Sequence, residues 1–188
     1  MKVLVACEYS GIVRSSFEHR GHDVMSCDLL PTEQPGNHYQ GDIFDVLDDN
    51  WDLMIAHPPC TRLCNSGVRW LKERDLWEEM REGAEFFKAL LMADIPKIAV
   101  ENPIPHHYAV DIIGRKYDQI VQPWMFGHGE TKATCFWLKG LSKLEPTNIV
   151  DGREQKIFKM SPGPNRWKER SRTYTGIADA MAFQWGNV

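Results

Sequence analysis

Two short motifs contain residue types that could act together on one substrate. In Pro58-Pro59-Cys60, two prolines stiffen the backbone after an apolar strand pattern and project the following thiol at a fixed angle. Glu101-Asn102-Pro103 follows the next apolar strand pattern along the chain. A positioned thiol can act as a nucleophile, and a carboxyl that burial keeps protonated can act as a general acid. The two motifs therefore predict covalent catalysis by Cys60 with the help of Glu101.

This pair suits the activation of a pyrimidine ring. Carbon 5 of cytosine is not electron-rich enough to attack a methyl sulfonium until a nucleophile has added to carbon 6. The ring must also receive a proton or a strong hydrogen bond at N3 in order to accept the charge. A cysteine after proline is, by itself, more often inert packing. Because a carboxyl follows the next strand, we expect Cys60 to attack carbon 6 and Glu101 to give N3 a proton or a strong hydrogen bond.

A zinc site is the competing interpretation of the same segment. His57, Cys60 and Cys64 are metal-ligating residue types, and zinc deaminases use such residues to bind their catalytic metal. Those enzymes need a His-x-Glu sequence upstream of Pro-Cys-x-x-Cys. Here three residues separate Cys60 from Cys64, and His128-Gly129-Glu130 lies downstream. We therefore predict a site without metal.

Alternating strand and helix patterns must position these motifs. Helical patterns end at His19, cover residues 70–92 and cover residues 177–183. Apolar strand patterns cover residues 2–6, 22–27, 51–56, 98–100, 119–121 and 134–138. Strands that alternate with helices predict an α/β fold with a mostly parallel sheet.

Ligands of an open α/β sheet bind beyond the carboxyl ends of its strands. Asp28 follows the second strand pattern, where a carboxylate can accept ribose hydroxyls. The turn 8–11 follows the first strand, and its Gly11 permits close approach of the backbone. The chain contains neither a Gly-x-Gly-x-x-Gly fingerprint nor a Walker lysine motif. These features favour a nucleoside cofactor without phosphates, such as S-adenosylmethionine.

The ordered motifs resemble those of the DNA (cytosine-5-)-methyltransferase family. Pro58-Pro59-Cys60 resembles the catalytic Pro-Pro-Cys motif, and Glu101-Asn102-Pro103 is similar to the Glu-Asn-Val motif. Residues 8–11, 126–138 and 175–185 resemble the first cofactor motif, the Gly…Arg-x-Arg strand and the C-terminal helix that closes the cofactor site. The compact length is most like that of the bacteriophage members. The resemblance implies a Rossmann-like S-adenosylmethionine-dependent methyltransferase fold.

The resemblance also implies roles for single residues. Asp28 would bind the cofactor ribose and Asp42 its adenine amino group, while Lys132 or Thr134 would contact a cytosine flipped out of the duplex. The predicted cofactor-binding set, taken from the motifs and their flanks, is Glu8, Tyr9, Ser10, Gly11, Asp28, Asp42 and Pro58. The predicted substrate-binding set is Pro59, Asn65, Ser66, Asn102, Lys132, Thr134, Arg166, Arg170 and Arg172.

Three departures from the family motifs concern the donor and the substrate. The first motif lacks Phe-x-Gly-x-Gly, and Lys132-Ala133-Thr134 replaces Arg-x-Arg. In the C-terminal helix, Gly176-Ile177-Ala178 stands where the family often has an asparagine near the transferred group. A carboxylated form of S-adenosylmethionine therefore stays open as an alternative donor.

The stretch 140–171 interrupts the rhythm of strands and helices and is predicted to be a loop-rich basic insertion. Between Asp151 and Arg172, seven basic residues stand against three acidic ones, although the whole chain carries a net charge of −4. Such a local excess indicates an anionic partner. We expect DNA to bind through residues 153–172, which replace a full target-recognition domain within one catalytic domain, 1–188.

Composition sets the remaining expectations. A chain of 188 residues suits one domain, and five cysteines without framework spacing favour free thiols in a reducing compartment. No apolar run approaches the ~20 residues of a membrane helix, so we expect a cytoplasmic protein of a bacterium or a phage-infected cell. A homodimer would compensate for the short recognition segment. The alternative functions are a catalytically silent Rossmann-like DNA-binding module, and cytosine-5 modification of RNA or of a free nucleotide.

Overall fold

One β-sheet of seven strands forms the centre of the computed structural model, which describes residues 1–187. In chain order the strands are β1 (Lys2–Ala6), β2 (Asp23–Asp28), β3 (His38–Gln40), β4 (Leu53–Ala56), β5 (Lys97–Pro103), β6 (Gln119–Val121) and β7 (Thr134–Lys139). Their spatial order is β3-β2-β1-β4-β5-β7-β6. Strands β1 to β5 run parallel, and β7 runs antiparallel to both of its neighbours. The predicted α/β fold with a mostly parallel sheet is confirmed.

Helices cover both faces of the sheet, with α3 and α4 on one face and α1 and α7 on the other. The α-helices are α1 (Ile12–Glu18), α2 (Arg69–Glu73), α3 (Trp77–Leu91), α4 (His107–Ile113), α5 (Lys156–Lys159), α6 (Arg166–Ser171) and α7 (Thr175–Trp185). Short 3-10 helices cover Ile43–Asp45, Asn65–Gly67 and Pro123–Met125. None of the helices within residues 1–187 is long and apolar enough to cross a membrane.

The central strands are mostly apolar because helices bury them from both sides. On one face, Phe87 of α3 packs against Trp137 of β7, with ring centroids 4.8 Å apart. On the other face, Phe17 of α1 and Ile177 of α7 are buried together with Val3 of β1. All residues of β4 are buried. This double burial explains why the strand patterns are continuous apolar runs rather than alternating ones.

The strand register brings the carboxyl ends of the central strands to one edge of the sheet. Ala6 of β1 pairs with Cys27 of β2 and with Ala56 of β4, and Ala56 pairs with Val100 of β5. The residues that follow these positions carry the polar groups that the sequence analysis assigned to the site. The fold therefore brings these polar groups close together although they are far apart in the chain.

Residues 70–92 form two helices, α2 and α3, rather than the one helix that their periodicity predicts. Asp75 separates them in a left-handed conformation with φ of 51°. Aspartate tolerates this conformation better than most residues because its short polar side chain can bond locally. As a separate element, α2 directs Trp70 and Leu71 to the cavity at the end of the sheet.

Candidate active site

A cavity of about 1080 Å³ lies at the carboxyl ends of β1, β2, β4 and β5. Its volume is at the upper end of the range for small-molecule sites and suits a cofactor together with a second ligand. The predicted site residues that line it are Glu8, Tyr9, Ser10, Asp28, Asp42, Pro58, Pro59, Cys60, Ser66, Glu101, Lys132, Arg166, Arg170 and Arg172. The cavity thus unites residues that the sequence analysis selected from separate motifs.

The loop after β4 holds Cys60 in a helical turn. The carbonyl of Cys60 accepts hydrogen bonds from the amides of Leu63 at 3.0 Å and Cys64 at 3.1 Å. Buried His106 fixes this turn, because its Nε2 lies 2.8 Å from the carbonyl oxygen of Arg62 and its amide donates to the carbonyl of Leu63. His106 precedes α4 and connects that helix to the loop that contains Cys60. Sequence analysis did not identify this connection.

The thiol of Cys60 is held in its protonated form. Burial, followed by the neighbouring Cys64 and Glu101, raises the pKa of Cys60 to about 11, whereas Lys132 acts in the opposite direction. The nucleophilic species is the thiolate. An attack by Cys60 therefore requires that its proton be removed when the substrate is bound.

The carboxyl of Glu101 is paired with the imidazole of His57. Glu101 Oε1 lies 3.6 Å from His57 Nδ1, and both side chains are largely buried. Burial raises the pKa of Glu101, but His57 and then Lys132 lower it by more, so the pKa is below its usual value. The expectation that burial keeps this carboxyl protonated is therefore wrong for this structure, because the positive neighbours outweigh burial.

Lys132 reaches the same cavity from the segment that precedes β7. Its Nζ donates a hydrogen bond to the carbonyl of Arg172 at 3.0 Å. Burial lowers the pKa of Lys132, and the charges of Glu101 and Cys60 partly offset this effect. The ammonium group is therefore within electrostatic reach of both the thiol and the carboxyl.

Asp28 and Asp42 lie at another part of the cavity. Asp28 Oδ1 accepts a hydrogen bond from the amide of Leu30 at 2.9 Å, and Asp42 Oδ1 accepts one from the amide of Phe44 at 3.1 Å. Burial raises the pKa of Asp28 despite the opposing amide of Leu30. These bonds fix the direction of each carboxylate relative to the backbone that follows it.

Large apolar side chains stand beside these carboxylates. Leu29 is 74% exposed and Phe44 is 50% exposed, and both line the cavity together with buried Ile43. Exposed apolar groups around a concave surface mark ligand sites. Carboxylates next to an apolar slot fit a nucleoside, whose ribose is polar and whose base is flat. The residues predicted from the sequence do not include these three apolar side chains, whose only signal is their place one or two residues after Asp28 or Asp42.

Glu8 builds the turn between β1 and α1. Its Oε1 accepts the amide of Val13 at 2.7 Å and its Oε2 accepts the amide of Arg14 at 3.2 Å, while Ser10 Oγ donates to Oε1 at 3.2 Å. A carboxylate at the start of a helix satisfies amides that have no partner in the helix. Both oxygens of this predicted cofactor residue are therefore engaged by the protein itself.

Two of the predicted residues lie near the cavity without lining it. Gly11 has a φ of 73°, and a Cβ at this position would lie 2.9 Å from the guanidinium of Arg14. The packing of the turn is by itself sufficient to require glycine at this position. Asn65 is exposed, and its amide donates to the carbonyl of Ile104 at 2.8 Å. Its role in the structure is to join two loops.

Asn102 and Thr134 are also outside the cavity lining. Asn102 follows Glu101 on β5, and successive side chains of a strand point to opposite faces. Its side chain is buried, and its amide Nδ2 donates to the carbonyl of Pro103 at 2.6 Å. Thr134 is buried too, with its hydroxyl 3.4 Å from the carbonyl oxygen of Lys132. Of the two candidates for base contact, only Lys132 reaches the cavity.

None of the residues of helix α7 lines the cavity, whereas the family motif predicts that this helix closes the cofactor site. Ile177 and Ala178 are buried in the core between the sheet, α1 and α7. A Cβ at Gly176 would collide with the carbonyl oxygen of Phe126, so this glycine is a packing requirement. The alternative donor that the altered sequence at residues 176–178 suggests stays a prediction.

The basic insertion packs against the turn that follows β1. Its residues include α5 and α6 rather than loop alone. The hydroxyl of Tyr9 lies 3.0 Å from Ser171 Oγ, and the rings of Tyr9 and Trp167 have centroids 5.9 Å apart. Arg172 forms an ion pair with Glu33 at 2.7 Å. The same segment therefore supplies basic groups to the cavity and contacts the turn after β1.

The residues of the zinc interpretation have other neighbours. His57 faces Glu101, and Cys64 Sγ lies 3.3 Å from Ser66 Oγ. In the part of the chain that the structure describes, no group of three or more His, Cys, Asp or Glu side chains could hold a metal ion.

In comparisons of the sequence alone, no family model and no curated protein matches the chain. Comparisons of the structure find methyltransferases. A proposed DNA modification methyltransferase from a prophage of Escherichia coli matches 86% of this chain with a TM-score of 0.51 and 15% sequence identity. The methyltransferase EhMeth of Entamoeba histolytica matches 84%, also with a TM-score of 0.51 and 15% identity.

The matched regions cover 55% and 58% of those two chains, so this chain spans little more than half their length. At such low identity the comparison concerns the fold, and function must be argued from the site. The chain therefore has the Rossmann-like fold of S-adenosylmethionine-dependent methyltransferases.

Proposed function

We propose that the protein transfers a methyl group from S-adenosylmethionine to carbon 5 of a cytosine in DNA, and that Cys60 attacks carbon 6. The observation that carries this proposal is the convergence of Cys60, Glu101 and Lys132 in the cavity that also contains Asp28 and Asp42. Such a reaction requires a nucleophile, a group that gives N3 a proton or a hydrogen bond, and a cation beside the ring oxygen.

The residues of the cofactor part suit S-adenosylmethionine. Asp28 would accept the ribose hydroxyls and Asp42 the adenine amino group, while Leu29 and Phe44 would enclose the base. When bound, the cofactor supplies an electrophilic methyl group. Phosphate-binding motifs are not needed for such a ligand.

Each of the protein residues has a separate role in the reaction at the cytosine. Cys60 forms a bond to carbon 6, which gives carbon 5 the electron density to accept the methyl group. Glu101 holds N3 and delivers a proton to it, and Lys132 donates a hydrogen bond to the ring oxygen. Pro58 and Pro59 keep the thiol in a fixed direction. After transfer, loss of the proton from carbon 5 allows the bond to Cys60 to break.

DNA is the substrate that the charge distribution favours. Arg166, Arg170 and Arg172 line the cavity, although the chain as a whole is acidic. The prophage-encoded protein of similar fold is described as a DNA modification methyltransferase, which supports the same class of substrate. Because a base inside a duplex is not accessible to a thiol, the cytosine would be flipped out of the helix.

The product test is digestion of treated nucleic acid to nucleosides, followed by mass spectrometry. We expect duplex DNA incubated with S-adenosylmethionine to gain 5-methylcytosine, whereas RNA and free cytidine nucleotides stay unmodified. A parallel reaction with carboxylated S-adenosylmethionine tests the alternative donor, since the added mass identifies the transferred group. Unmodified DNA in both reactions would reject the proposal and favour a silent DNA-binding module.

The nucleophile is tested with DNA that contains 5-fluorocytosine, because fluorine at carbon 5 prevents the final loss of a proton. We expect a protein–DNA adduct that resists denaturant and requires the donor. Cys60→Ser should abolish it, whereas the matched variant Cys64→Ser should retain it. An adduct that survives Cys60→Ser would assign the attack to another residue.

A further inference from the structure

His57 is a buried histidine that the reaction above does not use. It follows β4 directly, and its amide donates to the carbonyl of Ala6 at 2.9 Å. The side chain is only 10% exposed and lines the cavity. Neither ring nitrogen forms a hydrogen bond with the residues that the structure describes. A buried polar group without a hydrogen bond is costly, so its presence calls for an explanation.

Charged groups from four elements face this imidazole. Glu101 at the end of β5 is nearest, with its Oε1 3.6 Å from Nδ1. Glu8 after β1 and Asp28 at the end of β2 add negative charge, and Lys132 before β7 adds positive charge. Burial lowers the pKa of His57, but Glu101 and then Glu8 raise it by more, so that the net shift is upward. The imidazole therefore tends to keep a second proton that burial alone would remove.

We propose that His57 is a positioning residue that stores the proton delivered by Glu101 to the substrate ring. This inference rests on the proposed function, because it assigns the source of the proton that N3 receives. The distance of 3.6 Å is an ion-pair distance, and such contacts often shorten to hydrogen bonds when the substrate is bound.

The step balances in atoms and charge. The thiol of Cys60 first releases its proton to water. Its thiolate then forms the bond from sulfur to carbon 6, and the π electrons of the bond between carbons 5 and 6 move toward N3. Oε1 of the Glu101 carboxylate takes a proton from Nδ1 of His57, and the carboxyl group passes one proton to N3, so that Glu101 ends as the carboxylate that it was at the start. A thiolate and an imidazolium thus become a neutral ring adduct and a neutral imidazole.

The ion pair itself is tested by NMR titration of the histidine side chains in the full chain, without donor or DNA. We expect the pKa of His57 to be above 6.5 in the unmodified protein. In Glu101→Gln it should fall below 6.5, because burial remains while the carboxylate is lost. A pKa that is below 6.5 from the start, or that Glu101→Gln does not change, would overturn the inference. This arm requires no enzymatic activity.

The second arm measures single turnovers with S-adenosylmethionine and duplex DNA. We expect His57→Gln to slow methyl transfer at pH 7.5 about 100-fold, which is the lower range for the loss of a general acid. The DNA concentration that gives half of the maximal rate should change little, because in the proposed step Glu101, and not His57, contacts the base. His107→Gln, a change at an exposed histidine of α4, is the matched control and should keep the full rate. Imidazole added to His57→Ala should restore part of the rate.

The pH profile separates proton storage from a purely structural role. Below the pKa of His57, kcat/KM should rise about tenfold per pH unit as Cys60 ionises. Above that pKa the loss of the imidazolium cancels this gain, so the profile becomes flat until Cys60 itself titrates near pH 11. The break should coincide with the pKa of His57 measured by NMR and should move in His57→Gln.

The two proposals fail in different ways. If no cytosine is modified by the unmodified protein, the proposed function is wrong, while the NMR titration still decides whether Glu101 holds a proton on His57. If cytosine is modified and His57→Gln keeps the rate and the pH profile, the function stands and proton storage is wrong.

Discussion

Cys60 lies between a carboxylate and an ammonium group that act on its thiol in opposite directions. Burial is the largest cause of its raised pKa, and Glu101 adds to this effect while Lys132 reduces it. The thiol is thus stable in the free site and needs the substrate to become reactive. This property protects a buried nucleophile from oxidants and other electrophiles, since those react with the thiolate.

The pKa of about 11 predicts a steep pH dependence for alkylation of Cys60 by iodoacetamide. The rate should rise about tenfold per pH unit between pH 7 and 10, because only the thiolate reacts. Glu101→Gln should speed the reaction and Lys132→Gln should slow it at fixed pH. Trypsin cleaves after Arg62 and separates Cys60 from Cys64, so mass spectrometry can follow each thiol. A Cys60 that is fully labelled within minutes at pH 7 would contradict the buried, protonated thiol.

The sequence was sufficient to select Cys60 and Glu101, which the structure brings to one cavity, but not the charge of the carboxyl. Cys60 follows two prolines and Glu101 ends an apolar run, and both signals are local. The charge of Glu101 depends on His57, which follows a different strand, and on Lys132, which precedes a third one. Such a balance between burial and neighbouring charges requires the positions of all three side chains.

At the level of elements, the position of Cys60 depends on the connection between its loop and α4. His106 Nδ1 accepts the amide of Ala109 at 3.1 Å at the start of α4, and its Nε2 lies 2.8 Å from the carbonyl oxygen of Arg62. The isolated bridge between Cys64 and Pro105 joins the same two segments. The position of Cys60 is therefore set partly by α4, which lies about fifty residues further along the chain.

We predict that His106→Ala destabilises the protein by about 1–3 kcal/mol, because two buried backbone groups lose their partner. The free energy of unfolding in urea measures this effect. His107→Ala is the matched control, because His107 is exposed and adjacent, and we expect less than about 0.5 kcal/mol from it. Equal effects of the two substitutions would show that His106 does not fix the loop.

The elements that the sequence failed to predict have weak local signals. Strand β3 is a short run, His-Tyr-Gln, at the edge of the sheet, where only one neighbour pairs with it. Helix α4 has seven residues and begins with histidine and tyrosine, which do not favour helices. Its stability comes from packing against α3. By contrast, β1 and β6 were predicted with their observed bounds, because they are apolar and end at clear turns.

At the scale of the whole molecule, the protein is acidic but contains a basic segment, residues 153–172, that lines part of the cavity. The segment contacts Tyr9 through Trp167 and Ser171, and Arg172 holds it through Glu33. Ligands in the cavity and DNA on the segment would therefore share a boundary. Arg172 is engaged in internal ion pairs, whereas Arg170 is exposed. The residues of the segment consequently divide into those that hold it and those that can meet phosphates.

The salt dependence of DNA binding should reveal this division. Each phosphate contact contributes about −0.9 to the slope of log K against log salt. If Arg166 and Arg170 both contact phosphates, Arg166→Gln/Arg170→Gln should make the slope shallower by about 2. Lys116→Gln/Lys143→Gln removes the same charge from exposed sites outside residues 153–172 and should leave the slope unchanged. Fluorescence anisotropy with one duplex over a range of salt concentrations measures both variants. Equal slopes for the two double variants would mean that net charge, rather than this segment, governs the attraction to DNA.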